Sequence, residues 1–181
     1  KGGLDVQIFS VYTNGSLKNS FAYANREMDS LDAVITRNPD KIVKIYNYAQ
    51  LLDAVKQHKI AALFGVEGGH MIENDLNKLG IFYNRGARYL TLTHNTAPSW
   101  ATSAADETTL NPVIGKGLNA EGKKGLTEFG KQVVQRMNEL GMMIDVSHLG
   151  DQSFWDVIQL TNKPIIASHS AVYSLVPHRR N

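Results

Sequence analysis

Three histidines and one glutamate each stand just after a short apolar run. Glu67 follows "LFGV", His94 follows "YLTLT", His148 follows "MMIDVS" and His169 follows "PIIAS". Imidazole and carboxylate groups suit zinc and similar divalent ions, and catalytic zinc sites commonly combine His with Glu while one position stays open for water. The repeated setting of these four residues favours a metal site over four unrelated structural roles.

The apolar runs before these residues are typical of β-strands, and amphipathic stretches separate them. Strand-like runs alternating with helices predict a parallel sheet, in which every strand ends at the same edge. A doubly wound open sheet and part of a (β/α)₈ TIM barrel both fit this order, and the polar residues after the strands favour the barrel. The predicted strands are 6–13, 42–46, 61–69, 88–94, 142–146 and 164–168, and the predicted helices are 21–36, 47–59, 75–86, 126–141 and 151–161.

Some finer expectations follow from the same patterns. The segment "VQIFSVYT" (6–13) predicts a strand buried on both faces, and "AALFGVEGG" (61–69) predicts a strand broken by its glycines. Helical spacing places Val34 and Leu52 on inward faces. Residues 95–125, rich in Asn, Thr, Ser, Gly and Pro, predict a connection far longer than usual, which is more often functional than idle.

Composition narrows the class of protein. The chain has 181 residues with ordinary globular usage, which predicts one domain. A net charge of only +2 gives no basic footprint of a nucleic-acid binder, and the absence of cysteine excludes disulfides and cysteine-based zinc sites. No apolar run approaches the ~18 residues of a membrane span. Because the first residue is Lys1, a removed leader stays open, and with it the choice between a cytoplasmic and an exported protein.

Two further histidines have weaker settings. His58 lies in "KQHK", on what the pattern predicts to be a solvated helix face. His70 follows the glycines of "GVEGGH", where a role beside the metal site and a plain turn residue are equally open. "GVEGG" matches neither established glycine-rich phosphate motif. We therefore expect these glycines to let the backbone pack closely around Glu67.

Other polar residues beside the histidines have open roles. Asp145 lies within a predicted strand, where a hydrogen-bonded structural role is favoured over orienting a neighbour. Ser147, Ser168 and Ser170 flank the histidines without the G-x-S-x-G elbow of a serine hydrolase, so at most they support the site. The segment "PHRRN" (177–181) is either a general basic patch or the source of an arginine that binds a substrate carboxylate.

Taken together, these segments resemble the membrane dipeptidase (renal dipeptidase) family of zinc metallopeptidases, in particular its bacterial members. The similarity runs through most of the chain, and the last three segments are long and specific. The segments are "GGLDVQIFSVY" (2–12), "GVEGGH" (65–70), "RYLTLTHN" (88–95), "GLTEFGKQVVQRMNELGMMIDVSH" (125–148) and "ASHSAVYSLVPHRRN" (167–181).

The resemblance implies a (β/α)₈ barrel with two zinc ions at the strand ends. Such enzymes hydrolyse dipeptides, often with a D-residue at the C-terminal position, by attack of a metal-bridging hydroxide. By motif, Glu67 resembles the carboxylate that bridges both ions, and His148 and His169 resemble the histidines of the second ion. His94 resembles the residue that contacts substrate and stabilises the tetrahedral intermediate. Arg180 resembles the arginine that binds the free carboxylate of the dipeptide.

The sequence departs from the family pattern in two places. The family's first metal site also uses a His-x-Asp pair after the first strand, whereas no histidine precedes His58 here. The family's catalytic aspartate would lie beyond Asn181. We therefore expect a single domain of about six βα units from a larger barrel, lacking the first strand and the C-terminal portion. The chain would then supply all the protein ligands of one metal ion and half of those of the other.

Three functional interpretations stay open at this point. The first is a zinc-dependent dipeptidase, with a small dipeptide as substrate and a homodimer as an open possibility. The second is another metal-dependent barrel hydrolase acting on lactones, cyclic amides or phosphoesters. The third is a fragment that binds metal without turnover, which the absence of the His-x-Asp pair and of the terminal aspartate supports.

Overall fold

The structure is a computed structural model that describes residues 3–108 and 117–181. Strands and helices alternate along the chain as predicted, and a 3₁₀ turn, Gly69–Ile72, follows the third strand. The strands are β1 (Val6–Tyr12), β2 (Ile42–Lys44), β3 (Ile60–Glu67), β4 (Ala87–Thr91), β5 (Met143–Asp145) and β6 (Ile165–Ile166). The helices are α1 (Ser20–Arg37), α2 (Tyr48–Lys56), α3 (Leu76–Asn84), α4 (Ala104–Thr108), α5 (Glu128–Leu140) and α6 (Asp151–Leu160).

All strand pairs in the described residues are parallel and belong to one sheet. The order is β1-β3-β4-β5-β6, and β2 pairs with the first residues of β3. The register puts Tyr12 opposite Glu67, Glu67 opposite Thr91, Thr91 opposite Asp145 and Asp145 opposite Ile166. The ends of five strands therefore form one row, and the residues that follow them share one edge of the sheet.

The two faces of the sheet are packed differently. Alternate residues of a strand point to opposite faces, so Ala62, Phe64 and Val66 of β3 share one face and Ala61, Leu63 and Glu67 share the other. The first face carries the main core, which includes Met28 of α1, Phe82 of α3, Val134 of α5 and Val157 of α6. A smaller cluster joins Ala61 and Leu63 to Ile45 and Ala54. Glu67 thus lies on the face opposite the main core.

Local signals in the sequence set several helix ends. Asn47, Asp75 and Thr127 each accept a hydrogen bond from a backbone N–H in the first turn of α2, α3 and α5. Gly141 ends α5 in the left-handed conformation, with φ 72°. These caps fix where each helix starts or stops relative to the strand it follows or precedes.

The glycines of "GVEGG" do not break the strand, contrary to prediction. β3 runs through Gly65 to Glu67, and Gly65 is required because a Cβ there would lie 2.0 Å from Cζ of Tyr89 on the next strand. Gly68, with φ 125°, starts the 3₁₀ turn, where only glycine adopts this backbone without strain. The chain therefore turns just after Glu67 rather than within the strand.

Four side chains are more exposed than the sequence predicted. β1 is not buried on both faces, because Ile8 and Tyr12 are exposed and β1 pairs on one side only within the described residues. Val34 and Leu52 face outward, at 42% and 41% exposure, while Ile35 and Ala54 take the buried positions of their helices. The helical period was correct, and the prediction placed these two side chains on the wrong face.

The long segment 95–125 is more structured than a plain loop. It contains α4 and the buried Trp100, whose carbonyl accepts from the N–H of Thr127 at 2.9 Å. Ala120 donates its N–H to the carbonyl of Ser99 at 2.7 Å. Residues 109–116 of this segment lie outside the described residues. Its two described parts contact each other, since the N–H of Gly125 donates to Thr102 Oγ1 at 2.7 Å.

Within residues 3–108 and 117–181, none of the helices has the length and apolar character needed to span a membrane.

Candidate metal centre

Glu67, His148 and His169 meet at the C-terminal edge of the sheet. Glu67 Oε1 lies 3.4 Å from Nε2 of His148 and 3.2 Å from Nε2 of His169. One donor atom from each residue lies within 4.8 Å of the others, and this is the one group of three potential metal ligands found among the described residues. The structure thus brings together three of the four residues that the sequence pattern singled out.

Glu67 is the last residue of β3 and is held ionised. Ser10 Oγ of the neighbouring β1 donates to Glu67 Oε2 at 3.1 Å. The hydrogen bond with His148 is the largest cause that lowers the pKa of Glu67 to about 2, against the opposing effect of burial. The carboxylate is therefore available as a ligand across the whole neutral range.

His148 is buried and its backbone is strained. Its side chain is 2% exposed and its φ is 68°, a left-handed conformation that is uncommon for residues other than glycine and concentrates at functional sites. The N–H of Ala104 donates to the His148 carbonyl at 2.8 Å, and Nδ1 lies 3.3 Å from Asn95 Oδ1. Burial lowers the pKa of His148. The first residue of α4 therefore holds the backbone of His148, and Asn95 of the preceding loop contacts its ring.

His169 lies on the exposed segment after β6. Its side chain is 40% exposed, and its Nδ1 lies 2.7 Å from Ser168 Oγ. Its backbone N–H donates to Ser147 Oγ at 3.1 Å. Hydrogen bonds to two serines, rather than enclosure in the core, therefore hold His169 against Glu67.

Asp145 lies beneath these serines and is fully buried. Its Oδ1 accepts from the backbone N–H groups of Ser147 and Ser168, and its Oδ2 accepts from the hydroxyls of Thr91 and Ser168, both at 2.6 Å. Burial, the largest influence, raises the pKa of Asp145, but the hydrogen bonds led by those of Ser168 outweigh it, so the pKa is lowered. Asp145 is thus a buried structural residue that also contacts the neighbours of His169.

His94 lies beside the three-residue group and not within it. Its ring centroid is 4.3 Å from that of His148 and 5.0 Å from that of Tyr12. Burial, followed by the charge of His148, lowers the pKa of His94 to about 4. At neutral pH the ring is therefore uncharged and carries one N–H donor.

Arg180 also reaches this region. Its Nη2 lies 3.4 Å from the carbonyl oxygen of His169, and its Nε is buried without a hydrogen-bond partner among the described residues. Burial lowers the pKa of Arg180, and the negative charges of Glu67 and Asp145 oppose that shift. A cation near the group with an unused donor is suited to binding an anion.

Of the remaining candidates, His70, His58 and Ser170 lie apart from the group. His70, in the 3₁₀ turn, places Nε2 2.9 Å from Thr13 Oγ1 and so ties this turn to the end of β1. His58 lies just after the end of α2 with φ 57°. It is exposed, as the sequence predicted. Ser170 is exposed, whereas Ser147 and Ser168 contact the site residues. Of the three serines, two are therefore placed to support the site.

The donor set fits a zinc-type ion. In a tetrahedral site with bonds of about 2.1 Å, neighbouring ligand atoms lie about 3.4 Å apart. The separations of 3.4 and 3.2 Å between Glu67 Oε1 and the two Nε2 atoms have this size. One carboxylate oxygen and two imidazole nitrogens are a borderline ligand set that zinc accepts. These residues therefore have the chemistry and the spacing to hold one divalent ion.

Sequence reasoning missed two residues that contact this group, Ser10 and Asn95. Ser10 lies two residues before the end of β1, on the face that β1 shares with Glu67, so strand alternation was the available signal. Asn95 directly follows His94 in "LTLTHN". Its contact with His148 depends on the path of the loop from β4 to α4, for which no periodic pattern exists.

The chain is similar to known proteins over its whole length. The family described as membrane dipeptidase, peptidase family M19, matches residues 1–181. An amidohydrolase from Pseudomonas aeruginosa is 25% identical, with a TM-score of 0.84 over 99% of this chain and 50% of its own. The probable dipeptidase PvdM from the same organism is 25% identical, with a TM-score of 0.75 over 88% of this chain and 38% of its own.

A third solved structure is a metallopeptidase from Rhodobacter sphaeroides with a phosphinate mimic of the dipeptide L-Ala-D-Ala. It is 20% identical, with a TM-score of 0.83 over 99% of this chain and 56% of its own, so it bears on the fold alone. The chain spans roughly half the length of these structures. Their agreement confirms a partial TIM-type barrel and excludes the doubly wound alternative. The chain belongs to the membrane dipeptidase family, peptidase family M19.

Proposed function

We propose that this chain carries the metal-binding and carboxylate-binding part of a zinc-dependent dipeptidase. The observation that carries the proposal is the group of Glu67, His148 and His169, with Arg180 beside it, in a member of this family. We also propose that the chain is a single domain of a larger barrel. In support, β1 and β6 each pair on one side only within the described residues.

In the proposed site, Glu67, His148 and His169 hold one zinc ion. Zinc, when bound, supplies a hydroxide nucleophile near neutral pH and polarises the scissile carbonyl. Glu67 is already ionised and His148 is already buried beside it, so both would bind an ion with little reorganisation. The bridging role of Glu67 requires a second ion, and the resemblance of "GVEGGH" to the family motif supports that role.

Arg180 and His94 are assigned to the substrate. The guanidinium of Arg180, with its buried free Nε, binds the carboxylate of the dipeptide through charge-assisted hydrogen bonds. Neutral His94 donates a hydrogen bond to the oxygen that gains negative charge during attack. A D-residue at the C-terminal position is the proposed preference, because the resemblance to the membrane dipeptidase family implies it.

The metal assignment is tested on the chain purified without metal-affinity resin. We expect zinc to remain bound to the unmodified chain after dialysis. The Glu67→Gln variant should contain no zinc, because an amide oxygen replaces an ionised ligand. Glu73→Gln is the matched control, since Glu73 lies in the turn after the site and bonds Lys78 and Ser20 instead. Unchanged zinc stoichiometry in Glu67→Gln contradicts the assignment.

The carboxylate assignment is tested by calorimetry on the zinc-loaded chain, with L-Ala-D-Ala and its C-terminal amide. We expect the free acid to bind at least 10-fold more tightly than the amide, and Arg180→Ala to remove that preference, since a charge-assisted hydrogen bond contributes about 1.5–3 kcal/mol. Arg179→Ala is the control, because Arg179 is the exposed neighbour. Equal binding of acid and amide by the unmodified chain favours a hydrolase for lactones or cyclic amides.

Turnover by the chain distinguishes an active dipeptidase from a fragment that binds metal without activity. Zinc-dependent release of alanine from L-Ala-D-Ala rejects a metal-binding fragment without activity. Zinc binding with acid-selective dipeptide binding and no turnover assigns catalysis to a protein that carries further family residues.

A further inference from the structure

The helix α6 begins without a capping side chain of its own. Gly150 occupies its N-cap position, and the backbone N–H of Gln152 in the first turn donates instead to Glu107 Oε2 at 3.0 Å. Glu107 belongs to α4, and it lies 45 positions before Gln152 in the chain. A carboxylate at this end of a helix satisfies a free N–H and interacts favourably with the helix dipole. The cap of α6 is therefore supplied by the long segment 95–125.

Gly150 leaves the space that the Glu107 carboxylate fills. A Cβ at Gly150 would lie 2.3 Å from both Cδ and Oε1 of Glu107. The φ of Gly150 is −71°, which any residue adopts, so glycine is needed here for space and not for its backbone conformation. A side chain at position 150 would therefore displace the carboxylate from the start of α6.

The other oxygen of Glu107 binds the loop that precedes α4. Thr102 Oγ1 donates to Glu107 Oε1 at 2.6 Å and accepts the N–H of Gly125 at 2.7 Å. The N–H of Thr102 donates to Ser153 Oγ of α6 at 3.0 Å. Thr102 and Ser153 are both fully buried. Glu107 thus joins the buried Thr102 to the first turn of α6.

A short antiparallel ladder joins the same loop to the turn before α6. The carbonyl of Thr102 accepts the N–H of Gly150 at 3.1 Å, and the N–H of Ala104 donates to the carbonyl of His148 at 2.8 Å. An antiparallel bridge lies between these two hydrogen bonds. The φ of His148 is 68°, and a left-handed backbone of this kind persists only where its surroundings hold it. The ladder supplies contacts that hold it.

We infer that Glu107 is a positioning residue for His148. By fastening the loop before α4 to the start of α6, it holds the backbone that directs the His148 ring toward Glu67. The Glu107 carboxylate makes its hydrogen bonds to Thr102 and Gln152 and not to a proposed ligand within the described residues, so its effect on the site passes through the ladder. The consequence for zinc binding rests on the proposed function.

Amide hydrogen exchange, followed by NMR of the zinc-free chain, measures the ladder directly. In Glu107→Ala the amides of Ala104 and Gly150 should exchange faster by about 10-fold or more, because release of the loop separates them from their acceptors. The amide of Val134, buried within α5, reports unfolding of the whole chain and should accelerate less. Equal acceleration at all three amides, or no acceleration at Ala104 and Gly150, overturns the inference.

Gly150→Ala provides a second variant that leaves Glu107 in the sequence. Its new Cβ takes the place of the carboxylate, which can move away because it is the end of a flexible side chain. The amide of Ala104 should therefore exchange faster, as in Glu107→Ala. Gly150→Ala decides the inference if Glu107→Ala does not fold, and unchanged exchange at Ala104 in this variant contradicts it.

Glu121→Ala is the matched control. Glu121 lies in the same long segment, and its Oε1 accepts the N–H of Glu128 at the start of α5 at 3.0 Å, so this variant also loses a carboxylate that caps a helix. Exchange at Ala104 should not change there. Glu107→Gln should keep most of the protection of Ala104, because its amide oxygen still accepts from Gln152.

Zinc affinity, measured by competition with a chelator, shows whether the ladder serves the metal site. We expect Glu107→Ala to bind zinc about 10–100-fold more weakly, the range typical for outer partners of metal ligands, and Glu107→Gln and Glu121→Ala to stay close to the unmodified chain. If the unmodified chain binds no zinc, the proposed function fails, while hydrogen exchange still decides whether Glu107 holds the backbone of His148. Equal zinc affinity in Glu107→Ala and the unmodified chain overturns the inference.

Discussion

The two histidines that contact Glu67 are positioned in opposite ways. His148 has a side chain 2% exposed, a left-handed backbone and a loop packed over it, whereas His169 is 40% exposed on the segment after a two-residue strand. Both place Nε2 at nearly the same distance from Glu67 Oε1. Equivalent geometry at the site is therefore reached once through packing and once through hydrogen bonds close to solvent.

Because of this difference, substitutions at the two histidines should affect the stability of the fold and the affinity for metal differently. The enclosure of His148 belongs to the folded core, so its geometry is lost only when the neighbouring loop opens. The hydrogen bonds that hold His169 compete with water, and exposed polar contacts open more readily than buried ones. We expect changes at His148 to affect both folding and metal affinity, and changes at His169 to affect metal affinity alone.

The largest effect should come from replacing each histidine by alanine. His148→Ala should lower the free energy of unfolding by about 3 kcal/mol, because it leaves a cavity where a side chain 2% exposed was packed and removes the main partner of Glu67. His169→Ala should change the free energy of unfolding by no more than about 0.5 kcal/mol, as for an exposed residue. Urea unfolding of the zinc-free chain measures both values.

Zinc affinity provides the matching comparison for these two variants. Each should lose more than the 10–100-fold typical of an outer partner, since each removes a ligand. Similar losses of stability in the two variants would show that His169 is as well packed as His148 and would remove the contrast between them.

A substitution at Gly65 tests how tightly the interior next to the site is packed. Gly65→Ala should destabilise the chain by about 2 kcal/mol, because the new Cβ would overlap the ring of Tyr89 in a filled interior. Gly80→Ala is the control, since nothing lies within 4 Å of its Cβ position in α3 and alanine favours a helix by up to about 1 kcal/mol. The midpoint temperature of thermal unfolding should therefore fall in Gly65→Ala and rise in Gly80→Ala. An unchanged midpoint in Gly65→Ala would show that Tyr89 has room to move.

The smallest effect is the pH dependence of the Asp145 contacts, which join the two sides of the site. At pH 7, Asp145→Asn should cost about 1 kcal/mol, because an amide cannot satisfy all four donors. The folded-state pKa of Asp145 is lowered, so its stabilisation is complete above the unfolded value of about 3.9 and disappears as pH falls through the lower folded value. The difference between the variant and the unmodified chain should therefore shrink from pH 5 downward. A difference that is constant down to pH 2 would contradict the ionised state of Asp145.

Sequence patterns were sufficient for most of the architecture. Alternating apolar strands and amphipathic helices predicted six parallel strands, and the structure contains all six in one sheet. Glu67, His94, His148 and His169 were recognised because each stands just after a short apolar run. The inward faces of Val34 and Leu52 were predicted wrongly, because helical spacing gives only the period of the apolar positions, and the neighbouring elements select which of them are buried.

The sequence by itself determined the strand order along the chain, the chemistry of the ligand set and the family, because periodicity, residue type and motif are all local properties. Only the tertiary structure decided that Asn95 contacts His148, that Tyr89 fills the space over Gly65 and that Asp145 bonds the neighbours of both histidines. The physical reason is that these contacts join residues as far as 53 positions apart along the chain. Such contacts depend on strand register and loop path, which packing of the whole sheet sets.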